Sequence, residues 1–265
     1  MTAVCVAGAT GWTGRAVAEA LLASDDLVLR SAVSRSAAGS DLGAAWGQAD
    51  VGVPVGRDVG AALDGVDVLV DYTSAGAAMA HALAAIDAGV HVVIGTSGLS
   101  ATDFDEIDAA ARARGVGVVA AGNFSLTAAM AQAAALLAAR FLPQREIIDY
   151  ASASKTDAPS GTARELAERL AGVSLHPLAV PVSDVAGHPE ARGTSIAGTQ
   201  VHSVRLPSFV VSTEVVFAQP DERLVIRHDA GGTPAPYVAG TLLAVRAVPS
   251  LVGVVRGLDT LLLAH

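Results

Sequence analysis

A chain of 265 residues, 52% hydrophobic and 16% charged, has the length and apolar content to bury a substantial core, which rules out disorder as its main state. A formal charge of −9 and the lack of a local basic patch argue against a nucleic-acid partner, and no window approaches ~18 uninterrupted apolar residues, so no membrane span is expected. The single cysteine, Cys5, excludes internal disulfides, and seven histidines scattered singly offer no metal-ligand spacing.

The N-terminal run MTAVCVAGATG passes from a buried strand straight into a glycine turn, with no basic region ahead of an apolar stretch, so a cytoplasmic protein is expected. Ala3–Ala7, Val28–Val33, Val66–Asp71, Val90–Ile94 and Val116–Ala120 read as strands, and most are near-continuous apolar runs, as in strands buried on both faces. Helical periodicity fills the intervals at Thr13–Ala23, Ala75–Ala88 and Ala101–Ala113. This alternation is that of βαβ units around a parallel sheet.

After Asn123 the texture changes. An Ala-rich helix (Leu126–Phe141) leads to a strand (Glu146–Tyr150), a polar loop (Ala151–Gly161) and a second helix (Thr162–Ala171). A stretch bearing Pro and Gly, His176–Gly193, precedes three alternating segments, Ser195–Arg205, Phe209–Phe217 and Arg223–His228, which read as antiparallel strands. The closing segment, Val238–Leu263, reads as helical and apolar. The expected fold class is α/β: a Rossmann-like parallel-sheet domain over 1–123 and 237–265, with an α+β domain carrying an open antiparallel or mixed sheet over 124–236.

Two segments carry the chemistry. Gly8-Ala9-Thr10-Gly11-Trp12-Thr13-Gly14 follows a strand and opens a helix, the setting of a dinucleotide fingerprint, in which glycines let the backbone approach a pyrophosphate and helix amides face it. A P-loop is excluded, because no Lys-Ser or Lys-Thr pair follows the last glycine. At the end of the second strand, where an acidic side chain would meet a free ribose, the chain has Ser34-Arg35, which suits a 2′-phosphate and favours NADPH over NADH. None of Tyr72, Tyr150 and Tyr237 has a lysine four positions on, which disfavours short-chain dehydrogenase chemistry, and Cys5 lies inside the first strand, unsuited to be a nucleophile. The second segment, Lys155-Thr156-Asp157-Ala158-Pro159-Ser160-Gly161-Thr162-Ala163, sets amides and hydroxyls from Ser160 to Thr162 at a helix N-terminus, with Lys155 adding positive charge, and so reads as a carboxylate site.

Taken with Asp71-Tyr72-Thr73, Gly95-Thr96-Ser97-Gly98 and Gly122-Asn123-Phe124-Ser125, these motifs resemble, in order and over nearly the whole chain, the 4-hydroxy-tetrahydrodipicolinate (dihydrodipicolinate) reductase family. The resemblance implies cofactor contacts from Gly8, Ala9, Thr10, Gly11, Trp12, Thr13, Ser34, Arg35, Thr73, Gly95, Thr96, Ser97, Ala121, Gly122, Asn123 and Phe124. It further implies that Lys155 acts on the substrate, that Ser160, Gly161 and Thr162 hold a substrate carboxylate, and that the chain forms a homotetramer through the second-domain sheet. One departure stands out: the family carries a His-His pair shortly before the lysine, and this chain reads Ala151-Ser152-Ala153-Ser154-Lys155. The resulting expectation is an NAD(P)H-dependent reductase delivering hydride to the C=N bond of a cyclic imine, with a substrate diverged from the family's. The alternatives are the family's own reaction and a non-catalytic nucleotide-binding paralogue.

Overall fold

The computed structural model describes residues 1–263; Ala264 and His265, which the sequence places with the first domain, lie outside the described residues. The chain divides into two compact units: Met1–Leu126 together with the segment from Pro234 onward, and the intervening Thr127–Thr233.

The first unit opens with β1 (Thr2–Ala7), α1 (Trp12–Leu22), β2 (Leu27–Val33), the short helix α2 (Leu42–Ala45), the two-residue strand β3 (Val55–Gly56) and α3 (Val59–Ala62). It continues through β4 (Val68–Asp71), α4 (Ala75–Asp87), β5 (His91–Ile94), α5 (Ala101–Arg114) and β6 (Gly117–Ala120). Every residue of β4 and β6 is buried, which is why these strands read as unbroken apolar runs. Local signals also act: α5 starts at a Ser100/Asp103 capping box and stops at Gly115, whose φ of 70° suits a helix terminus that only glycine enters freely.

The second unit comprises α6 (Leu126–Ala139), which starts at the seam, then β7 (Arg145–Ala151), α7 (Gly161–Val173), β8 (Thr194–Ile196), β9 (Thr199–Arg205), β10 (Val211–Gln219) and β11 (Glu222–Asp229). Its sheet has the order β11-β10-β7-β9-β8. The inner face supplies Ile147, Val201, Val215 and Phe217 to a core shared with Ala135, Ala139, Leu166 and Leu170 of the two helices. One sequence expectation needs correction here. Ser195–Arg205 is a hairpin rather than one strand, because the chain reverses at Ala197 and Gly198, both at positive φ. Of the two sheet types expected for this unit, the mixed one is found, because β9 runs parallel to β7 while the other pairs are antiparallel.

The chain then returns to the first unit with α8 (Ala235–Ala247), β12 (Gly253–Arg256) and α9 (Leu258–Leu262). The expected helical segment Val238–Leu263 is therefore interrupted. Pro249 withholds an amide, and beyond it the β-branched pair Val254-Val255 extends alongside β6. With β12 the first sheet has seven parallel strands in the order β12-β6-β5-β4-β1-β2-β3. From β1 the chain moves outward through β2 and β3, then comes back to β4 on the other side. That reversal creates a crevice at the strands' C-terminal ends, between the loops after β1 and β4.

Candidate active site

A cleft of about 580 Å³ opens at this crevice, lined by Gly8, Thr10, Gly11, Ser34, Arg35, Ser36, Arg57, Tyr72, Thr73 and His81 among others. The glycines have steric reasons. Gly8 sits at φ 85° and a Cβ there would collide with the Tyr72 carbonyl, while a Cβ on Gly14 would collide with the Gly8 carbonyl. The turn is therefore as tight as backbone allows, and the α1 N-terminus, with Gly11 as a cap that lacks a side chain, presents its amides at this end of the sheet. Ser34 Oγ lies 2.9 Å from Thr10 Oγ1 and 3.3 Å from Ser36 Oγ, so three hydroxyls cluster beside two exposed arginines, Arg35 and Arg57. Arg57, brought in by β3 pairing with β2, is absent from the sequence reading.

The loop after β4 is organised by Asp71, which is fully buried. Its Oδ1 accepts from the Thr73 amide (2.9 Å), the Thr73 hydroxyl (2.7 Å) and the Thr96 hydroxyl (2.6 Å), and its Oδ2 lies 2.7 Å from His81 Nδ1. Burial alone would raise the acid's pKa, but hydrogen bonds from His81, Thr96 and Thr73 outweigh it and hold the carboxyl below its ordinary value. Two of the expected contact residues, Thr73 and Thr96, are thus locked together by a carboxylate outside the expected contact set.

The remaining expected residues fall on the same edge of the sheet outside the cleft lining. Ala9 is buried and its carbonyl accepts from the Trp46 indole at 3.1 Å, so only its backbone can face a ligand. Trp12 is exposed, with its ring 5.9 Å edge-on from Tyr237, and Thr13 follows it in the first turn of α1. Gly95, Thr96 and Ser97 follow β5, and a Cβ on Gly95 would run into the Tyr72 ring. Ala121, Gly122, Asn123 and Phe124 follow β6. Phe124 is a core residue, 6.3 Å edge-on from Tyr72, and Asn123 Oδ1 accepts from the Ser125 amide at 2.8 Å. Cys5 is wholly buried and burial pushes its thiol up to about 11, so it stays protonated at neutral pH.

In the second unit, the loop between β7 and α7 carries Lys155, whose Nζ lies 2.7 Å from Asp157 Oδ1. Ser160 does not meet the expectation that it faces a ligand. It is buried, its amide and hydroxyl both donate to Asp149, at 2.8 and 2.6 Å, and its Oγ accepts from the Ala163 amide as the α7 cap. A carboxylate within the protein, that of Asp149, already takes both donors of Ser160. Among the described residues no group of three or more His, Cys, Asp or Glu is placed to hold a metal, and no helix is long and apolar enough to cross a membrane.

Two family models divide the chain between them: "Dihydrodipicolinate reductase, N-terminus" matches residues 2–124 and "Dihydrodipicolinate reductase, C-terminus" matches residues 122–262. The chain belongs to the dihydrodipicolinate reductase family. It is 41% identical over 263 residues to a 4-hydroxy-tetrahydrodipicolinate reductase of Moorella thermoacetica, covering 98% of this chain and 97% of that one. It is 37% identical over 270 residues to the Synechococcus elongatus protein of the same name, covering 98% of each. Among solved structures, a dipicolinate-bound dihydrodipicolinate reductase from Paenisporosarcina sp. TG-14 superimposes with a TM-score of 0.76 at 27% identity, over 98% of this chain and 99% of that one. An amine dehydrogenase from Mycobacterium smegmatis, at 16% identity and a TM-score of 0.66, shares the fold. This dihydrodipicolinate reductase family member is an oxidoreductase that uses a pyridine nucleotide. The cleft fits such a nucleotide: its turn has no room for side chains where a pyrophosphate would lie, and hydroxyls and cations stand where a ribose would end.

Proposed function

We propose that this protein is a 4-hydroxy-tetrahydrodipicolinate reductase that prefers NADPH. The observation that carries the reading is the KTDAPSGTA loop together with the glycine-turn cleft, in a chain that aligns end to end with relatives bearing that name. In this reading the turn from Gly8 to Thr13 holds the pyrophosphate, and Ser34, Arg35 and Arg57 hold a 2′-phosphate. Thr73, Gly95–Ser97 and Ala121–Phe124 border the nicotinamide end. When bound, the nucleotide supplies the hydride. Lys155 carries the positive charge that meets substrate carboxylate or imine nitrogen, exchanging its Asp157 partner for the ligand, and the Gly161 and Thr162 backbone binds a carboxylate at the start of α7.

A second reading, reduction of a different cyclic imine, draws on one observation. Ala151 is buried beside its register partners Val211 and Arg205, and neither alanine here nor Ser152 after it is an acid able to protonate the imine nitrogen as hydride reaches the carbon. The names of the relatives favour the family's own substrate over this divergent one. The assay that separates them is a panel of cyclic imines, with the dipicolinate precursor beside monocarboxylate imines, followed by loss of NADPH absorbance. The precursor is expected to give the highest kcat/KM, and a monocarboxylate imine outranking it would favour the second reading.

Assembly as a homotetramer is part of the proposal. The outer face of the mixed sheet presents Ile148, Tyr150, Val204 and Val216 in a broad concavity of about 830 Å³, an apolar surface large enough to serve as a subunit interface.

A further inference from the structure

One row of side chains crossing the mixed sheet is polar. His228, Thr213, Asp149 and Ser203 are register partners on β11, β10, β7 and β9. The neighbouring row on the same face, Ile226, Val215, Ile147 and Val201, packs against α6 and α7, so the polar row also lies on the helix-covered side. A wholly buried carboxylate in such a place costs stability unless donors surround it. Asp149 has four: the Ser160 hydroxyl on Oδ1 at 2.6 Å, and on Oδ2 the Ser160 amide at 2.8 Å, Arg205 Nη2 at 2.8 Å and the Ser203 hydroxyl at 3.2 Å.

Arg205 is directed inward in the same way. Its Nη2 also donates to the Asp157 carbonyl at 2.8 Å, and its Nη1 to the carbonyls of Val204 and Asp149 at 3.0 and 3.2 Å. The guanidinium is thus engaged by this corner of the protein rather than held out for a ligand. The turn Asp157-Ala158-Pro159-Ser160 is gripped at both ends: at Asp157 by Arg205, and at Ser160 by Asp149. Since Ser160 Oγ also caps α7, the place of Asp149 determines where the amides of Gly161 and Thr162 stand.

We propose that Asp149, braced by Arg205, is a positioning residue of the reductase: it fixes the start of α7 so that the Gly161 and Thr162 backbone meets a substrate carboxylate. The proposal rests on the reading above that this loop binds the imino acid. An ionised acid is required at this place because both of its oxygens accept. Asparagine offers one acceptor oxygen, so one of the two Ser160 donors would face an NH₂ group and Arg205 would lose its counter-charge.

The test combines kinetics with hydrogen exchange on the full-length protein. Asp149→Asn is expected to raise KM for the dipicolinate precursor about 10- to 100-fold, with a smaller change in kcat and an NADPH Kd within about twofold of wild type. Because Asp149 acts through Ser160, adding Asp149→Asn to Ser160→Ala is expected to raise KM much less than in the wild-type background. Amides from Ser152 to Ala163 should lose protection while the rest of the second unit keeps it. If Asp149→Asn does not fold, Arg205→Lys, which keeps the charge and loses the fork, is expected to give the same changes at smaller size. Unchanged KM in a folded, active variant, or effects of Asp149→Asn and Ser160→Ala that multiply independently, overturns the proposal. Wild type inert toward every imine defeats the functional reading instead. Exchange alone then decides the positioning role, with loop-confined loss of protection supporting it and an unchanged loop refuting it.

Discussion

Replacing Arg35 or Arg57 by alanine is expected to weaken NADPH and leave NADH nearly untouched. Both guanidiniums line the first-unit cleft with the hydroxyls of Thr10, Ser34 and Ser36, and the cleft lining contains no carboxylate to compete for them. A 2′-phosphate brings roughly 1.5 to 2 negative charges and three acceptor oxygens. A hydrogen bond to a charged group contributes about 1.5–3 kcal/mol, and because both arginines are exposed the lower part of that range applies. Discounted to about 1–2 kcal/mol per arginine, each substitution should raise the NADPH Kd about 5- to 30-fold. Fluorescence titration of both nucleotides into wild type, the single variants and the double variant reads this directly. Raising the salt from 0.05 to 0.5 M should shrink the NADPH preference of wild type, as ions screen exposed charges. If the double variant loses NADH affinity as strongly as NADPH affinity, the arginines support the cleft instead of reading the 2′-phosphate.

Three further outcomes follow from the geometry. Gly95→Ala pushes a methyl into the Tyr72 ring, whose hydroxyl is held by Thr241 at 2.6 Å, so it should cost about 1–3 kcal/mol in chemical denaturation, and a neutral effect would show that the ring moves freely. His91 Nδ1 accepts from the Gly117 amide at 2.9 Å, and burial holds its pKa below the ordinary value against the pull of Asp67, as burial also does for His228. The unfolded chain therefore takes up these protons first, so the denaturant midpoint should fall as pH drops from about 7 to 5. His91→Gln should flatten that slope, and a midpoint that rises on acidification would contradict the argument. Val216→Asp, on the outer face of the mixed sheet, should yield a smaller species by sedimentation, and an unchanged sedimentation coefficient would place the subunit interface elsewhere.

Strands β1, β2, β4, β5 and β6 were legible because they are short apolar runs that are largely buried, β4 and β6 throughout, and the glycine turn because it joins one of them to a helix. Strand β12 was not. Its four residues, Gly253-Val254-Val255-Arg256, are too few between two apolar helices for periodicity to set them apart. The Ser195–Arg205 alternation likewise runs through its own turn, because Ala197 is a residue that does not announce a positive φ. At the site, Arg57 lies more than twenty positions from Ser34-Arg35 and joins them only through the pairing of β3 with β2. Ser160 looked like a ligand donor because its amide and hydroxyl open a helix, and its true acceptor, Asp149, sits in a strand where an acid is ordinarily read as facing solvent. The alternating burial of β7 shows the opposite, with Arg145, Ile147, Asp149 and Ala151 all turned inward.

Turnover of the dipicolinate precursor by purified protein with NADPH tests the central claim most directly. The account predicts saturable NADPH oxidation at ordinary enzymatic rates, on the order of 1–10³ s⁻¹, falling at least about tenfold in Lys155→Ala. Wild type that binds NADPH but oxidises it with no imine of the panel, or that becomes active only when histidines are introduced by Ala151→His with Ser152→His, would contradict it.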